Sequence, residues 1–195
     1  MREVSLERKT KETQIAIELN LDGENSLLES QIETPIGFFN HMLELFAFHS
    51  GIALNVQVQG DADVDDHHLI EDTGILLGEA IYQALGSKRG IRRYGNCRLP
   101  MDESLAQIDL DFSGRPYLVF EATFHRDQVG DFSTEMVEEF LRALAFQAKM
   151  TLHVHVYGKN DHHQIEAIFK GLGRAIKEAI AIESDRLPST KGVLE

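Results

Sequence analysis

The sequence predicts an α+β fold: an internally duplicated two-layer α/β sandwich, each half a mostly antiparallel sheet covered by two helices. Three observations predict it. Asp66-His67-His68-Leu69-Ile70-Glu71, followed by Gly78-Glu79-Ala80-Ile81, returns 95 residues later as Asp161-His162-His163-Gln164-Ile165-Glu166, followed by Gly173-Arg174-Ala175-Ile176. Leu54-Asn55-Val56-Gln57-Val58 returns at an offset of 98 as Leu152-His153-Val154-His155-Val156. Glu12–Gly23 (ETQIAIELNLDG) returns at an offset of 91 as Glu103–Gly114 (ESLAQIDLDFSG). The order is the same in both halves, and the period is far longer than that of a solenoid repeat.

Each half reads alike. An alternating strand comes first, with Ile15, Ile17, Leu19 and Leu21 on one face, then Ile108, Leu110 and Phe112 in the second half. Extended chain follows, over Ile32–Ile36 and Tyr117–Phe124, then an amphipathic helix over Phe38–His49 and Glu135–Met150. A strand over 53–59 and 151–157 leads to a last helix over 67–85 and 162–182, with Asp66 and Asp161 as expected N-caps. Strands outnumber helices in each half, so the helices should cover one sheet face. The repeats are drawn as 1–90 and 91–195, forming one compact unit, with a basic, glycine-bearing linker near Gly86–Asn96 and a polar C-terminal tail after Glu183 that packs as a loop.

Composition narrows the function. A formal net charge of -13 disfavours nucleic acid, which needs clustered Lys and Arg against its phosphates. It leaves room for a small phosphorylated substrate held by a few focused cations. No apolar run approaches the ~20 residues of a membrane span, and no apolar signal core follows Met1-Arg2-Glu3-Val4-Ser5. The one cysteine, Cys97, can build neither an internal disulfide nor a thiolate metal site. A cytoplasmic enzyme is the expectation.

The doubled His-His-x-x-Glu points to metal. On a helix, residues four apart share a face, while neighbours point about 100° apart. His67 and Glu71 can therefore chelate one ion, as can His162 and Glu166; His68 and His163 must face another. Two ions follow, each helix contributing to both. The offset of 98 sets His41 against Glu139, both ligand-competent. One ion then takes His41, His68, His162 and Glu166, and the other takes His67, Glu71, Glu139 and His163. Nitrogen with carboxylate suits Mn, Fe, Co, Ni or Zn, the absence of thiolate lowers zinc, and octahedral Mn²⁺ with positions open to substrate is preferred. A single such pair near a helix start is usually a surface or capping feature; two copies, each with Glu at the chelating spacing, are not. His125, His153 and His155 carry less weight, the last two read as solvated positions on a strand. His49, two turns beyond His41, is read as lining the site.

At this point the residues resemble a known family. Phe38-Phe39-Asn40-His41-Met42-Leu43, the two Asp-His-His-x-x-Glu motifs, Ser113-Gly114-Arg115-Pro116 and Pro188-Ser189-Thr190-Lys191-Gly192-Val193-Leu194 are similar to the imidazoleglycerol-phosphate dehydratases, over essentially the whole chain from about Arg8. The resemblance implies a histidine-biosynthesis hydro-lyase with two Mn²⁺ per site, in a homo-oligomer of 24 subunits whose sites lie between subunits. The length is read as that of the form without the N-terminal phosphatase domain some relatives carry. The implied reaction removes a hydroxyl from the carbon beside an imidazole ring and a proton from the next carbon, through a metal-bound imidazolate and a diazafulvene. Glu12 is the implied acid/base, with Glu71, Glu166 and His49 completing the catalytic set. Arg93, Arg115, Lys170, Ser189, Thr190 and Lys191 are implied to hold the substrate phosphate. Without the resemblance, Glu12 reads as a strand-edge surface carboxylate and Arg89–Arg93 as a solvated basic turn. Two positions depart from the family's common pattern: Glu139 stands where histidine is frequent, and Thr190 where serine is. A dinuclear phosphoesterase and a non-catalytic metal-binding assembly protein are the competing readings.

Overall fold

The computed structural model describes residues 2–23 and 30–194; Met1 and Glu195, the outer ends of the two repeats, lie outside them. The described residues form two four-stranded sheets. The first runs in the order β1 (Glu3–Lys9), β2 (Thr13–Asn20), β4 (Ala53–Gly60), β3 (Gln31–Glu33); the second runs β5 (Tyr94–Met101), β6 (Ser104–Asp111), β10 (Thr151–Tyr157), β7 (Tyr117–Glu121). In each sheet the last pair, β4 with β3 and β10 with β7, is parallel and the rest are antiparallel. The duplication extends to register. Ile17 faces Val56, and their counterparts Ile108 and Val154 face each other in the second sheet.

Four helices complete the fold of the described residues: α1 (Gly37–Ser50), α2 (His67–Leu85), α3 (Met136–Gln147) and α4 (Asp161–Ile180). A small hairpin, β8 (Gln128–Val129) with β9 (Phe132–Ser133), precedes α3. Alternation along β2 and β6 buries Ile15, Ile17, Leu19, Ala106, Ile108 and Leu110 and turns polar residues outward, so each sheet buries one face. α2 lies on β1 and β2, and α4 on β5 and β6. The helices then pack across the repeats, α1 against α4 and α2 against α3. Glycine permits that approach. A Cβ on Gly78 would lie 2.5 Å from the Leu144 carbonyl oxygen, and one on Gly173 would lie 2.8 Å from that of Phe46. Gly78 and Gly173 are repeat counterparts, and so are Leu144 and Phe46. Both halves feed one buried cluster, in which the Phe140 and Phe169 rings stack at 5.3 Å.

The structure corrects several sequence expectations. β1 and β5 are full edge strands, and β5 takes Tyr94 to Asn96 from the expected linker. Their alternation is shallow, with Val4, Leu6, Cys97 and Leu99 only half-buried, and edge position also accommodates Pro100. α3 stops at Gln147 rather than Met150, because Lys149 turns into the left-handed region at φ 49°. α4 begins at Asp161 and ends at Ile180. The tail is stitched to the segment before β5: Gly90 N–H donates to the Arg186 carbonyl at 2.7 Å, and Arg89 donates to the Asp185 carbonyl at 2.9 Å. Gly90 sits at φ 81° with the Ser184 carbonyl where a Cβ would stand, so only glycine fits. No helix among the described residues is long and apolar enough to cross a membrane.

Candidate active site

Asn160 starts α4: its side-chain oxygen accepts the amides of His162 and His163 at 3.0 and 3.4 Å. Asp161 is therefore not the cap expected from the sequence but the first helical residue. Its buried carboxylate accepts the amides of His125 and Arg126 at 2.9 and 2.8 Å and meets His125 Nδ1 at 3.2 Å. Burial works against that charge, but the two amides and His125 hold the carboxyl below its usual range. With the helix start fixed, spacing separates the two histidines. His162 Nε2 lies 3.0 Å from Glu166 Oε2, while the His163 ring stands 6.2 Å away at 89°.

α1, packed against α4, contributes a third donor. The donor atoms of His41, His162 and Glu166 all lie within 4.8 Å of one another. Phe38 braces the His162 ring edge-on at 5.1 Å. Glu166 is 7% exposed; burial disfavours its charge, but the Lys170 ammonium bonded to it, together with His162, holds the carboxyl below its usual range. Two imidazoles and an ionised carboxylate at this separation are a donor set for a first-row divalent ion. His49 stands beside this group, and burial, then the charges of Lys170 and Arg174, depresses its proton affinity.

α2 repeats the separation. His67 Nε2 lies 3.5 Å from Glu71 Oε2, and the His68 ring stands at 83° to that of His67. Asp66 occupies the N-cap position without capping; its carboxylate accepts Ser133 N–H and Oγ–H at 2.5 and 2.8 Å, and Asp65 accepts the His67 amide at 2.9 Å. In both motifs a carboxylate holds the second histidine by Nδ1: Asp61 for His68 and Glu103 for His163, each at 2.9 Å. Such a contact orients the ring and leaves Nε2 for a ligand. Asp61 raises the affinity of His68 for its proton, and Glu103 does the same for His163. Glu103 is itself held far below the usual carboxylate range, by His163 first and also by the amides of Lys159 and Asn160. Glu12 is exposed and close enough to add to the pull on the His68 proton.

Comparison with known proteins decides what this donor arrangement belongs to. A family profile described as imidazoleglycerol-phosphate dehydratase matches residues 34–176. The imidazoleglycerol-phosphate dehydratase of Exiguobacterium sp. strain AT1b is 54% identical over 197 aligned positions, covering 100% of both chains. The chain belongs to the imidazoleglycerol-phosphate dehydratase family. The crystal structure of the Staphylococcus aureus N315 enzyme superposes with a TM-score of 0.82 at 44% identity, covering 91% of this chain and 98% of that one. That of the Pyrococcus furiosus enzyme, solved in complex with (S)-C348, superposes with a TM-score of 0.83 at 37% identity, covering 97% and 100%. The protein is thus a carbon–oxygen lyase of histidine biosynthesis, from a metal-dependent family, and has the duplicated α+β fold read from its sequence.

The remaining candidate residues of this dehydratase fall into three groups. Among the described residues, His41, His162 and Glu166 are the only three or more that gather at ligand distance; His68 does not join them, and His67, Glu71, Glu139 and His163 form no second group. Glu139 Oε2 lies 3.8 Å from Arg142 Nε on its own helix. Of the phosphate candidates, Lys170 is bonded to Glu166, whereas Arg93 grips Asp111 through Nε and Nη2 at 2.7 and 3.0 Å and donates from Nη1 to the Pro188 carbonyl at 2.9 Å. Arg93 thereby fixes the tail that carries Ser189, Thr190 and Lys191. Ser189 Oγ accepts the Lys191 amide at 3.2 Å in a turn that presents exposed Thr190 and Lys191, and Arg115 is also exposed. Of the low-weight histidines, His155 pairs with Glu121 at 3.0 Å on the outer face of the second sheet, and His125 serves Asp161. Sequence reasoning missed Asp61 and Glu103. The repeat offset could have singled out Glu103, since it aligns with Glu12; nothing marks Asp61 within the acidic run that precedes α2.

Proposed function

We propose that the chain dehydrates D-erythro-imidazole glycerol phosphate to imidazole acetol phosphate, in the cytoplasm, at a centre of two Mn²⁺ ions completed between subunits of a large homo-oligomer, 24 by the resemblance. The observation that carries this reading is the separation built into each motif: a chelating His–Glu pair on one face, and a second histidine turned away and held by Nδ1. His41, His162 and Glu166 would hold one ion with His68 as a further ligand, and His67, Glu71, Glu139 and His163 the other. The further ligands would come from neighbouring copies, a reading supported by the single chain gathering three ligands for the first ion and, among the described residues, no group for the second. The donors are nitrogens and carboxylates, which fit manganese. Bound at the azole nitrogens, the ions would supply orientation and charge stabilisation for departure of the ring-adjacent hydroxyl.

The chain's own residues account for the other parts of the reaction. Arg93, Arg115, Lys170, Ser189, Thr190 and Lys191 hold the phosphate, with Arg93 also fixing the tail that brings the last three. Glu12, free at the end of a tight turn, takes the proton from the second carbon, and the resulting enol tautomerises to the ketone. His49, biased toward its neutral form, lines the cleft without adding charge. The test is turnover by the Mn-loaded protein with imidazole glycerol phosphate. Ketone product without free phosphate supports the reading. Phosphate release would instead select a phosphoesterase, and failure of any azole phosphate to bind would select a metal-binding assembly protein. A further expectation is loss of the large assembly on complete chelation, read by sedimentation.

A further inference from the structure

The turn that carries Glu12 is tied down by a polar network that the second repeat lacks. Thr10 Oγ1 accepts two amides, those of Glu12 and Thr13, at 3.1 and 2.9 Å, and meets Thr13 Oγ1 at 3.2 Å. Thr13 Oγ1, on a residue 3% exposed, donates to Asp72 Oδ2 at 2.5 Å. Asp72 is the residue after Glu71 on α2, and its other oxygen accepts Arg8 Nε at 3.0 Å. On the far side of the turn, the Glu12 carbonyl accepts the amide of Asp61, the residue that orients His68. Gly60 permits the approach, since a Cβ there would lie 2.6 Å from the Glu12 carbonyl oxygen. The backbone of Glu12 is therefore referenced on both sides to metal-motif residues: through Thr13 and Asp72 to the Glu71 turn, and through Asp61 to His68.

The counterpart turn in the second repeat is built differently. Met101 replaces Thr10, Ser104 replaces Thr13, and Ala167 stands where Asp72 does. There the carboxylate of Glu103 folds back onto the protein, accepting Lys159 and Asn160 amides at 3.1 and 2.8 Å and holding His163. A self-anchored carboxylate needs no external reference; an exposed one that must meet a substrate carbon does. We propose that Thr10, Thr13 and Asp72 are positioning residues that set the Glu12 carboxylate against the metal-bound substrate. The inference rests on Glu12 being the acid/base.

The test uses the metal-loaded protein and near-isosteric changes. Thr13→Val removes the donor to Asp72, and Thr10→Val removes the acceptor for both amides. Misplacing a reacting group by about an ångström costs on the order of 100-fold. The expected result is kcat lowered roughly 10- to 100-fold, with KM and metal content unchanged and with recovery in Thr13→Ser. Thr134→Val deletes another buried threonine hydroxyl, bonded to the Arg126 carbonyl at 2.8 Å, and should leave kcat at the wild-type value. Wild-type kcat in both Thr10→Val and Thr13→Val, beside an inactive Glu12→Gln, would overturn the positioning role alone. Equal losses in Thr13→Val and Thr134→Val would overturn it as a general packing effect. Full activity in Glu12→Gln would remove the acid/base reading, and this inference with it.

Discussion

The two repeats share strand register, helix order and motif, yet they arm their ligands unequally. On the α1–α4 side, His41, His162 and Glu166 already converge, and Glu166 is buried and held ionised by Lys170. On the α2–α3 side, Glu71 is only half-buried, the His67–Glu71 contact is 3.5 Å rather than 3.0 Å, and Glu139 stays with Arg142. The same inequality appears in the paired turns: Glu103 is consumed in orienting His163, whereas its counterpart Glu12 is left free. Duplication supplied two copies of one clamp, and the single chain draws one of them together more tightly than the other.

Ligand removal should break the symmetry most visibly. Glu166→Gln takes a carboxylate from the pre-formed group and leaves Lys170 without its partner, so metal content and dehydration should both fall to background. His68→Ala should do the same if it completes that group from elsewhere. Glu71→Gln removes the looser clamp and should leave part of the metal bound while abolishing turnover. Metal analysis with a turnover assay reads all three; full occupancy with wild-type turnover in Glu166→Gln would contradict the ligand set. Next in size is the contrast between the paired carboxylates. Glu12→Gln should cost about 10²- to 10⁴-fold in kcat with metal retained, the range of a lost general acid or base. Glu103→Gln should instead weaken metal affinity by about 10- to 100-fold, as loss of a ligand-orienting partner does.

Much of this was legible in the sequence, because helix spacing and repeat offset are geometric. The bounds of α2 and the split between His67 and His68 follow from period, and the grouping of His41 with His162 and Glu166 is drawn from the symmetry of the repeat. What was not legible depends on contacts distant in sequence. β1 and β5 bury too little to alternate strongly. The capping of α1 falls to Asp131, 94 residues away, which no local motif announces. Glu103 could be aligned with Glu12, but whether a carboxylate turns inward or outward depends on Lys159 and Asn160, which a repeat alignment does not contain. The tail shows the same limit: the bonds from Arg93 to Asp111 and to the Pro188 carbonyl, which hold the tail in place, are announced by no local motif.

Smaller effects probe how the halves are held together. Gly78→Ala and Gly173→Ala insert a methyl at counterpart helix crossings, and overpacking of this kind costs about 1–3 kcal/mol. Gly78 has the closer carbonyl, 2.5 Å against 2.8 Å, so it should lose more. Equal losses in denaturant unfolding would show the two crossings to be interchangeable. For Gly173 the added methyl also meets the His49 Cβ at 3.1 Å, so that variant should disturb kcat as well as stability.

The smallest effect concerns the β8–β9 hairpin, which reaches from the second repeat into the first. Asp131 accepts the amides of Gly37 and Phe38 at 2.6 and 3.0 Å, capping the helix that carries His41, while Ser133 holds Asp66 at the start of α2. Burial opposes the Asp131 charge, but those amides hold the carboxyl below its ordinary value of 3.8. Its folded-state value is depressed, so its contribution is complete above the ordinary carboxylate range and is lost as pH falls through the folded value. Asp131→Ala should therefore destabilise the protein by about 1 kcal/mol at neutral pH, the usual worth of such a cap. The gap between variant and wild type should close only in strongly acidic solution. Asp131→Asn keeps an acceptor but cannot ionise, so it should recover part of the stability with no such acid dependence. A gap that stays constant through the acid range would place the stabilisation in hairpin packing, through buried Phe132 against Phe38 and Phe39, rather than in the charge at the head of α1.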